Sequence, residues 1–434
     1  MQFYNRETEI TQLQRMEKAS HTSSKMTVMV GRRRIGKTKL IQHAFPNKLY
    51  FFVSKKSEPL LCHELITLIE VHLKHKVLGQ FTSFPLLFEY LIQYSITTPL
   101  TLVIDEFQEF LQINASIYSD LQRIWDQYKD HSKLNLVLSG SIYSLMKRIF
   151  EDRKEPLFGR ADTKIHLKPF TIDTLKVILQ KEAGDYEPDD LLSLYMFTGG
   201  VAKYVELFID AKAFTRHEQI NLIFDEFSPF IDEGKNLLIE EFGREYTVYF
   251  SILSLITSSK TSRPEMESIL GKPIGGYLDR LENEYMLIKK IRPIFSKPSG
   301  RTVKYAIADN FFHFWFRFIY SYKSAIEIEN YAYVKQIVER DYAVYSGLFL
   351  EKYFFEKLKL SRLYSQIGTY WERGNQNEID LVAVNDLERK IVFIEVKRQK
   401  KRINLKKLEE KAQKLVLKYT QYEVQYQGLS LEDL

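Results

Sequence analysis

A glycine-rich segment near the start of the chain carries residues suited to holding phosphate groups. Residues 31–38 read GRRRIGKT and fit the pattern G-x-x-x-x-G-K-[ST] at every fixed position. Glycines let backbone N–H groups curl around phosphate oxygens, and the start of the next helix adds partial positive charge. Lys37 is placed to reach the β- and γ-phosphates, and the Thr38 hydroxyl to ligate Mg²⁺. The segment therefore predicts a nucleotide-phosphate site.

Two carboxylates follow an apolar stretch later in the chain. Residues 99–107 read PLTLVIDEF, a run typical of a strand buried on both faces, and it ends in Asp105 and Glu106. In phosphate-loop NTPases the first such carboxylate helps to hold Mg²⁺, and a second can act as general base for the attacking water. The sequence therefore predicts ATP and Mg²⁺ as cofactors, Asp105 as a metal ligand and Glu106 as the base.

Two further positions are candidates for contact with the γ-phosphate. Ser139 and Ser141 follow the apolar run 134–138, and a polar residue there could touch the γ-phosphate or the attacking water. A cap for the helix at 142–149 explains these serines equally well. Arg160 lies in a polar loop and could stabilise the transition state, within the chain or on a neighbouring copy. A solvated surface arginine is the default alternative.

A second group of charged residues, near the C-terminus, has the types needed to act on phosphodiesters. Glu395 and Lys397 lie two apart in the predicted strand 390–397, so they share a face, and hairpin pairing can bring Asp380 near them. Two carboxylates and a lysine can form a Mg²⁺ site that activates water and stabilises charge on phosphorus. An edge strand with solvated charges gives the same E-x-K pattern.

The region around this group is strongly basic. Between Arg389 and Lys418 there are twelve Lys or Arg residues against three Glu, whereas the whole chain has a net charge of only +6. A charge run is usually a solvated helix face. Beside a candidate phosphodiester site it is better explained as a contact with the phosphate backbone of DNA, independent of sequence and sensitive to salt.

The elements that position these residues follow from hydrophobic periodicity. Strands alternate with helices from 26 to 168, which predicts a parallel sheet with helices on both faces. Residues 171–235 read as helices only, at 171–183, 188–197, 200–212 and 217–232. Helices at 246–257, 264–270 and 274–285, followed by strands at 286–291 and 302–307, outline a winged helix. Its third helix is acidic, so DNA reading and a packing or regulatory role are equally favoured.

These patterns predict an α/β chain of several domains. The expected divisions are a phosphate-loop ATPase core at 1–169, a helical subdomain at 170–240, a winged helix at 241–310, a connector at 311–340 and an α/β nuclease-like domain at 341–434. The aromatic stripe 308–322 is expected to be core packing rather than a platform for bases.

The overall composition bears on the cellular compartment of the protein. The 434 residues contain one cysteine, Cys62, which excludes a disulfide framework and favours a reducing cytoplasm. The first 25 residues are polar, so no signal peptide is expected, and no uncharged apolar run is long enough to span a membrane.

The order of the motifs NRE, GRRRIGKT, LVIDEFQ, LVLSGS, LFGRA and FTGG resembles the AAA+-type ATPases of archaea and bacteria, close to the signal-transducing STAND NTPases. The resemblance covers residues 1–235. It implies a base contact near Arg6, a sensor at Ser139 or Ser141, and a functional arginine at Arg160. It also implies nucleotide binding by the loop and the first helical turn, namely Gly31, Ile35, Gly36, Lys37, Thr38 and Lys39.

The C-terminal arrangement D…E-x-K, within residues 341–420, resembles the PD-(D/E)xK nuclease fold. That resemblance implies Glu351 as an additional carboxylate on a preceding helix, joining Asp380 and Glu395 at a metal ion.

The resulting hypothesis is an ATP-hydrolysing protein whose nucleotide state controls a DNA-contacting, nuclease-like C-terminal domain. The competing interpretation is a non-cleaving, nucleotide-gated switch that binds DNA or a protein partner. Arg160 acting on a neighbour would require a homo-oligomer. The sequence assigns no role to Arg32, Arg33 and Arg34.

Overall fold

The fold consists of two compact units, which comprise Tyr4–Pro169 and Phe170–Leu434. It is taken from a computed structural model that describes residues 2–74, 76–77, 79, 81–297, 300, 302–372, 374 and 376–434. Among the helices of these residues, none is long and apolar enough to cross a membrane.

The unit Tyr4–Pro169 is built on a five-stranded parallel sheet in the order β2-β3-β4-β1-β5. Its strands are β1 (Lys25–Val30), β2 (Leu49–Phe52), β3 (Leu100–Asp105), β4 (Leu134–Gly140) and β5 (Thr163–His166). Its helices are α1 (Glu7–Ser20), α2 (Lys37–Ala44), α3 (Glu58–Leu73), α4 (Phe84–Thr97), α5 (Phe110–Ile113), α6 (Ile117–Tyr128) and α7 (Tyr143–Glu151). Because all five strands are parallel, their carboxyl ends meet at one edge of the sheet.

The central strands have the burial that their composition predicts. Every residue of β3 and of β4 is buried. Alternate residues of these strands, such as Leu136 and Leu138, pack with Phe88 and Ile124 in one hydrophobic core. Strands covered on both faces are typical of parallel sheets. The predicted α/β fold, with a parallel sheet typical of phosphate-loop NTPases, is therefore confirmed.

The second unit begins with helices only, as predicted. They are α8 (Ile172–Glu182), α9 (Pro188–Thr198), α10 (Ala202–Asp210), α11 (Arg216–Ile223) and α12 (Phe230–Phe242). The prediction of one helix over 217–232 is wrong, because α11 ends at Ile223 and α12 begins after Pro229. A proline disfavours the helical conformation in the residue before it, which is Ser228.

The next part contains three helices and a two-stranded antiparallel sheet, as the sequence predicts. The elements are α13 (Tyr246–Thr257), α14 (Arg263–Leu270), α15 (Gly275–Asn283), β6 (Ile288–Ile291) and β7 (Lys304–Ile307). Their assignment to a winged helix remains a prediction.

The segment 311–340, for which the sequence predicts a connector, is largely helical. It contains α16 (Asn310–Phe314), a π-helical turn at Trp315–Ile319, α17 (Lys323–Glu327) and the start of α18 (Tyr331–Ser361). The aromatic stripe is core packing, as expected, since Phe311, Phe316 and Phe318 are buried. Burial of these rings packs the first part of the segment against its neighbours.

A four-stranded mixed sheet completes the second unit, in the order β11-β10-β9-β8. Its strands are β8 (Gln366–Tyr370), β9 (Ile379–Asn385), β10 (Lys390–Lys397) and β11 (Glu423–Ser430), with α19 (Leu405–Val416) between the last two. The pairs β8–β9 and β9–β10 are antiparallel, and β10–β11 is parallel. This α/β region, with α18 preceding the sheet, confirms the second part of the predicted fold class.

Candidate functional site

The glycine-rich segment lies at the carboxyl edge of the five-stranded sheet. Val30 ends β1 and Lys37 begins α2. Gly36 has φ 95°, a left-handed conformation that glycine adopts without strain. A Cβ on Gly31 would come within 2.9 Å of the carbonyl oxygen of Leu167. The backbone path of the loop therefore requires glycine at both positions.

Lys37 folds back over this loop. Its Nζ donates to the carbonyl oxygens of Gly31 at 2.6 Å and Arg32 at 3.2 Å. Burial lowers the pKa of Lys37, while the nearby carboxylates of Glu106 and Asp105 act in the opposite direction. The loop thus holds a buried cation beside two acids, in the position where phosphate charge is expected.

The other predicted loop residues divide by burial. The Ile35 side chain is buried, so the predicted contact of Ile35 with phosphate would be made by its backbone N–H. Thr38 and Lys39 are exposed in the first turn of α2. Arg33 donates from Nε to the Ser141 hydroxyl at 3.5 Å, which gives one of the three consecutive arginines a contact at this edge.

Asp105 ends β3 and is buried, and three groups hold its carboxylate. Oδ1 accepts from the Glu106 N–H at 3.0 Å, and Oδ2 accepts from the Thr38 hydroxyl at 3.4 Å. The Tyr50 hydroxyl also donates to Oδ2, at 2.5 Å. Burial, followed by the bond to Asp105, raises the pKa of Tyr50 well above its ordinary value. Thr38 and Asp105 supply a hydroxyl and a carboxylate oxygen, the donors that Mg²⁺ takes from proteins when phosphates and waters complete its shell.

Glu106 turns away from the strand in a left-handed conformation, with φ 54°. Its Oε2 accepts from the Ser141 hydroxyl at 2.7 Å and from the Gln108 side-chain amide at 2.5 Å. A carboxylate held by two donors in a fixed direction is suited to receive a proton from a positioned water.

The two serines that end β4 have different surroundings. The Ser139 hydroxyl is buried and has no hydrogen-bond partner among the residues that the structure describes, whereas Ser141 contacts Glu106. The structure therefore brings Ser141 to the predicted base. Sequence reasoning missed Tyr50 and Gln108. Gln108 stands directly within the motif LVIDEFQ, but nothing local marks Tyr50 as a partner of Asp105.

Arg6 precedes α1, the helix that runs into β1. Its guanidinium donates to the Lys168 carbonyl oxygen at 2.7 Å and to Glu9 at 3.4 Å. Burial lowers its pKa, and Glu9 opposes this shift. Lys168 follows Leu167, the residue that approaches Gly31, so Arg6 lies on the same side of the sheet as the glycine loop.

Arg160 lies at the edge of the sheet opposite the glycine loop, and its predicted role at the γ-phosphate stays a prediction. The residue precedes β5, and in a parallel sheet the segment before a strand lies at the amino edge. There Arg160 forms a bidentate ion pair with Asp126, with its shortest contact at 2.8 Å. Its Nη1 donates to the Pro156 carbonyl oxygen at 2.6 Å.

The three residues predicted from the D…E-x-K pattern do meet on the mixed sheet. The register pairs Leu381 with Ile394, and one further step sets Asp380 opposite Glu395. Lys397 Nζ lies 3.1 Å from Asp380 Oδ2 and 3.7 Å from Glu395 Oε1. The Val396 N–H also donates to Asp380 Oδ2, at 2.8 Å. The lysine thus lies between two carboxylates on adjacent strands.

Glu351 faces the same group from α18. Burial and the nearby Asp380 carboxylate together raise the pKa of this carboxyl to about 8, although Lys397 acts against the rise. For Lys397, the effect of burial is outweighed by Asp380, Glu395 and Glu351, and its pKa is raised. The raised pKa values favour a protonated Glu351 and a charged Lys397 at neutral pH.

The predicted metal ligands Asp380, Glu395 and Glu351 do not form one preassembled set. In the part of the chain that the structure describes, no three His, Cys, Asp or Glu side chains are arranged to hold a metal ion. The Lys397 ammonium already lies between two of these carboxylates, and burial raises the pKa of the third. Asp380 and Glu395 remain the pair of oxygen donors that could hold Mg²⁺ together with waters.

The basic segment after β10 begins at this site. The Asn404 N–H donates to Glu395 Oε2 at 2.7 Å, and the Asn404 side chain caps α19 through the Lys407 N–H. Exposed cationic side chains surround this cap: Lys400, Lys401, Arg402, Lys406 and Lys407. A cationic surface therefore borders Glu395 directly.

A second cluster, which we call the Asp189 clamp, links α9 and α11 to α18 and to the end of β10. It comprises Asp189, Arg216, Tyr342, Ser346 and Arg398. The Asp189 carboxylate accepts from Arg398 at 2.9 Å, from Arg216 at 3.0 Å and from the Tyr342 hydroxyl at 3.0 Å. Arg398 also donates to the Ser346 hydroxyl at 2.7 Å, and both guanidinium groups lie within 5.2 Å of the Tyr342 ring centroid. Arg398 directly follows Lys397.

Two parts of the chain match known families. Residues 3–208 match the profile of an ATPase domain found predominantly in Archaea. Residues 315–414 match a profile described as archaeal and bacterial proteins of unknown function. An uncharacterized protein of Methanocaldococcus jannaschii is 28% identical over 406 residues, which cover 91% of this chain and 87% of the relative.

Two solved structures share the fold. A Walker-type ATPase of Pyrococcus abyssi aligns with a TM-score of 0.56 at 17% identity, over 73% of this chain and 96% of its own. The ORC2 protein of Aeropyrum pernix, solved as ADPNP–ADP complexes, aligns with a TM-score of 0.50 at 17% identity, over 78% and 96%. Residues 3–208 are therefore an ATPase domain, and the two structural likenesses support its fold.

Proposed function

We propose that the nucleotide state of this ATPase domain controls a DNA-contacting C-terminal domain that cleaves phosphodiester bonds with Mg²⁺. The observation that carries the proposal is the convergence of Asp380, Glu395 and Lys397 on adjacent strands, next to a cationic surface. The cations that border this group suit a phosphate-rich substrate, which DNA would supply.

At the nucleotide site, each proposed role follows from a contact described above. The glycine loop and Lys37 bind the phosphates, and Thr38 and Asp105 hold Mg²⁺, which offsets phosphate charge when bound. Glu106, oriented by Ser141 and Gln108, accepts the proton of the attacking water. Arg6 and Ser139 stay candidates for contacts with the base and the γ-phosphate.

At the C-terminal site, the proposed metal ligands are Asp380 and Glu395. The metal ion, when bound, would supply an activated water. Lys397 would stabilise the negative charge that develops on the phosphate oxygens, because its ammonium is held charged by its neighbours. Lys400, Lys401 and the other exposed cations would hold the DNA backbone through sequence-independent contacts.

The Asp189 clamp provides the proposed connection between the two activities. Asp189 lies within the matched ATPase domain, and Arg398 lies within the matched C-terminal family. They are 209 residues apart in sequence and in direct contact. A rearrangement of α9 would therefore be transmitted to Arg398 and to the neighbouring Lys397, which is the kind of two-state element that a switch requires.

Arg160 retains one proposed role, on the nucleotide of a neighbouring copy in a homo-oligomer. That role requires the ion pair with Asp126 to open. A positive group supplied by a neighbour can stabilise the transition state of phosphoryl transfer.

The second candidate function is a nucleotide-gated switch that binds DNA or a protein without cleavage. It is favoured by the Lys397 ammonium lying between the carboxylates and by the acidic helix α15, which contains Asp279 and Glu282. An acidic helix surface repels phosphates and suits a protein contact.

Cleavage of supercoiled plasmid DNA with Mg²⁺, with and without ATP, distinguishes the two candidates. We expect the intact chain to nick the plasmid and Lys397→Ala to lose at least about 10²-fold in rate, the loss typical of removing a charge-stabilising group. Lys359→Ala, which removes an exposed lysine of the same domain outside the basic stretch, should cleave normally. If the intact chain and Lys397→Ala behave alike, the nuclease proposal fails. ATP-dependent DNA retention without cleavage would then support the switch.

A further inference from the structure

Tyr50 contacts the nucleotide site from an edge strand that sequence reasoning left out of the chemistry. In β2, Phe52 pairs with Asp105 of β3, and Tyr50 pairs with Val103. Tyr50 and Phe52 lie two apart, so they point to the same face of the sheet. The half-buried Tyr50 side chain extends along this face, and its hydroxyl reaches Asp105.

Tyrosine has the right length for this contact. Two residues along a strand span about 6.6 Å, which matches the reach of a tyrosine side chain from Cα to hydroxyl. A serine or threonine at this position would be too short, and phenylalanine would lack the donor. Strand β2 thus provides Asp105 with a hydroxyl donor that the backbone of β2 cannot supply.

The contact completes the support of the Asp105 carboxylate. Oδ1 is fixed by the Glu106 N–H, and on Oδ2 the Thr38 hydroxyl lies at 3.4 Å, near the outer limit of a hydrogen bond. The Tyr50 hydroxyl, at 2.5 Å, is the closer of the two donors to Oδ2. Without it, the orientation of Oδ2 would depend on the long Thr38 contact.

We propose that Tyr50 is a positioning residue that aims the Asp105 carboxylate for metal-dependent nucleotide binding. The proposal rests on the proposed role of Asp105 in holding Mg²⁺. Residues that orient a metal ligand typically change metal affinity by about 10- to 100-fold when mutated. Tyr50 acts through Asp105 and need not touch the nucleotide, so its effect should appear only when the metal ion is present.

The test measures the Kd of a fluorescent methylanthraniloyl-ATP, once with Mg²⁺ and once with EDTA. For Tyr50→Phe we expect binding with Mg²⁺ to weaken about tenfold, and binding in EDTA to match the intact chain. The matched control is Tyr128→Phe, which removes another hydroxyl–carboxylate hydrogen bond, to Glu89 at 3.2 Å, in the same unit. It should leave both constants unchanged.

The proposal is overturned if Tyr50→Phe binds the nucleotide in Mg²⁺ as tightly as the intact chain, or more tightly. It is also overturned if Tyr50→Phe loses the same affinity with and without the metal, since that would indicate a general structural role. The variant Asp105→Asn shows whether such a failure concerns only Tyr50 or also the proposed role of Asp105 in holding Mg²⁺. If Asp105→Asn keeps the full Mg²⁺ dependence, the role of Asp105 is wrong. If it loses that dependence while Tyr50→Phe keeps it, only the role of Tyr50 is wrong.

Discussion

Glu106→Gln is expected to bind ATP with nearly unchanged affinity and to hydrolyse it about 10²- to 10⁴-fold more slowly, the range typical of removing a general base. The substitution keeps the shape of the side chain and its capacity to accept from Ser141 and Gln108. It removes the negative charge that would take the proton of the attacking water. Binding should persist because the glycine loop, Lys37 and Thr38 are not altered.

Phosphate release and binding of the fluorescent nucleotide, measured on the same preparation, check this expectation. Glu155→Gln is the matched control, because Glu155 is a carboxylate of the same unit that bonds to Arg148 at 2.8 Å, away from the sheet edge. Its turnover should equal that of the intact chain. If Glu106→Gln hydrolyses ATP at the normal rate, Glu106 is not the general base, and another group at this edge of the sheet accepts the proton.

Asp189→Ala is expected to lower the free energy of unfolding of the unit Phe170–Leu434 by about 1 to 3 kcal/mol, less than for a fully buried ion pair because the Arg216 side chain is 44% exposed. The Asp189 side chain is 19% exposed, and its loss would leave Arg216 and Arg398 facing each other near the Tyr342 ring. The unpaired cations, rather than the lost hydrogen bonds alone, account for the size of the effect.

Urea unfolding followed by tryptophan fluorescence measures this loss. A Trp125→Phe background leaves Trp315 and Trp371, which both belong to the unit Phe170–Leu434. Asp185→Ala, at an exposed aspartate just before α9, should change stability by less than about 0.5 kcal/mol. Equal unfolding midpoints for the two variants would show that the clamp contributes no stability.

The variant Asp189→Asn tests the proposed connection while keeping the size and polarity of the side chain. The amide keeps an acceptor for the Tyr342 hydroxyl but lacks the charge that holds two guanidinium groups. Under the proposed function, DNA cleavage or binding by this variant should lose its dependence on ATP while ATP hydrolysis continues. An ATP effect equal to that of the intact chain would mean that the clamp is structural only.

Local sequence patterns already identified the chemistry-bearing segments. The glycine spacing in 31–38, the apolar run that ends at Asp105 and Glu106, and the E-x-K pair in 390–397 depend on neighbours a few residues away. Strand and helix periodicity is also local, so the parallel sheet at 26–168 and the three helices with a hairpin at 246–307 followed from it. The break of 217–232 into two helices was missed, although Pro229 marks it, because the apolar spacing continues on both sides.

Which side chains meet was decided by the tertiary structure. The register of β2 against β3 sets Tyr50 on Asp105, and the register of β9 against β10 sets Asp380 opposite Glu395. Chain direction places Arg160 at the amino edge of the sheet, where Asp126 holds it. The packing of α9 against α18 joins Asp189 to Arg398.

The physical reason for this division is that different interactions act over different distances along the chain. Propensity, capping and hydrophobic spacing act over a few residues, so the sequence alone determined the phosphate loop, the acidic strand end and the charged C-terminal strands. The partner of a side chain depends instead on strand register and on how helices pack, which arise from many distant contacts at once. Only the folded chain could therefore show that Tyr50, Ser141 and Arg398 lie beside Asp105, Glu106 and Asp189, and that Arg160 pairs with Asp126.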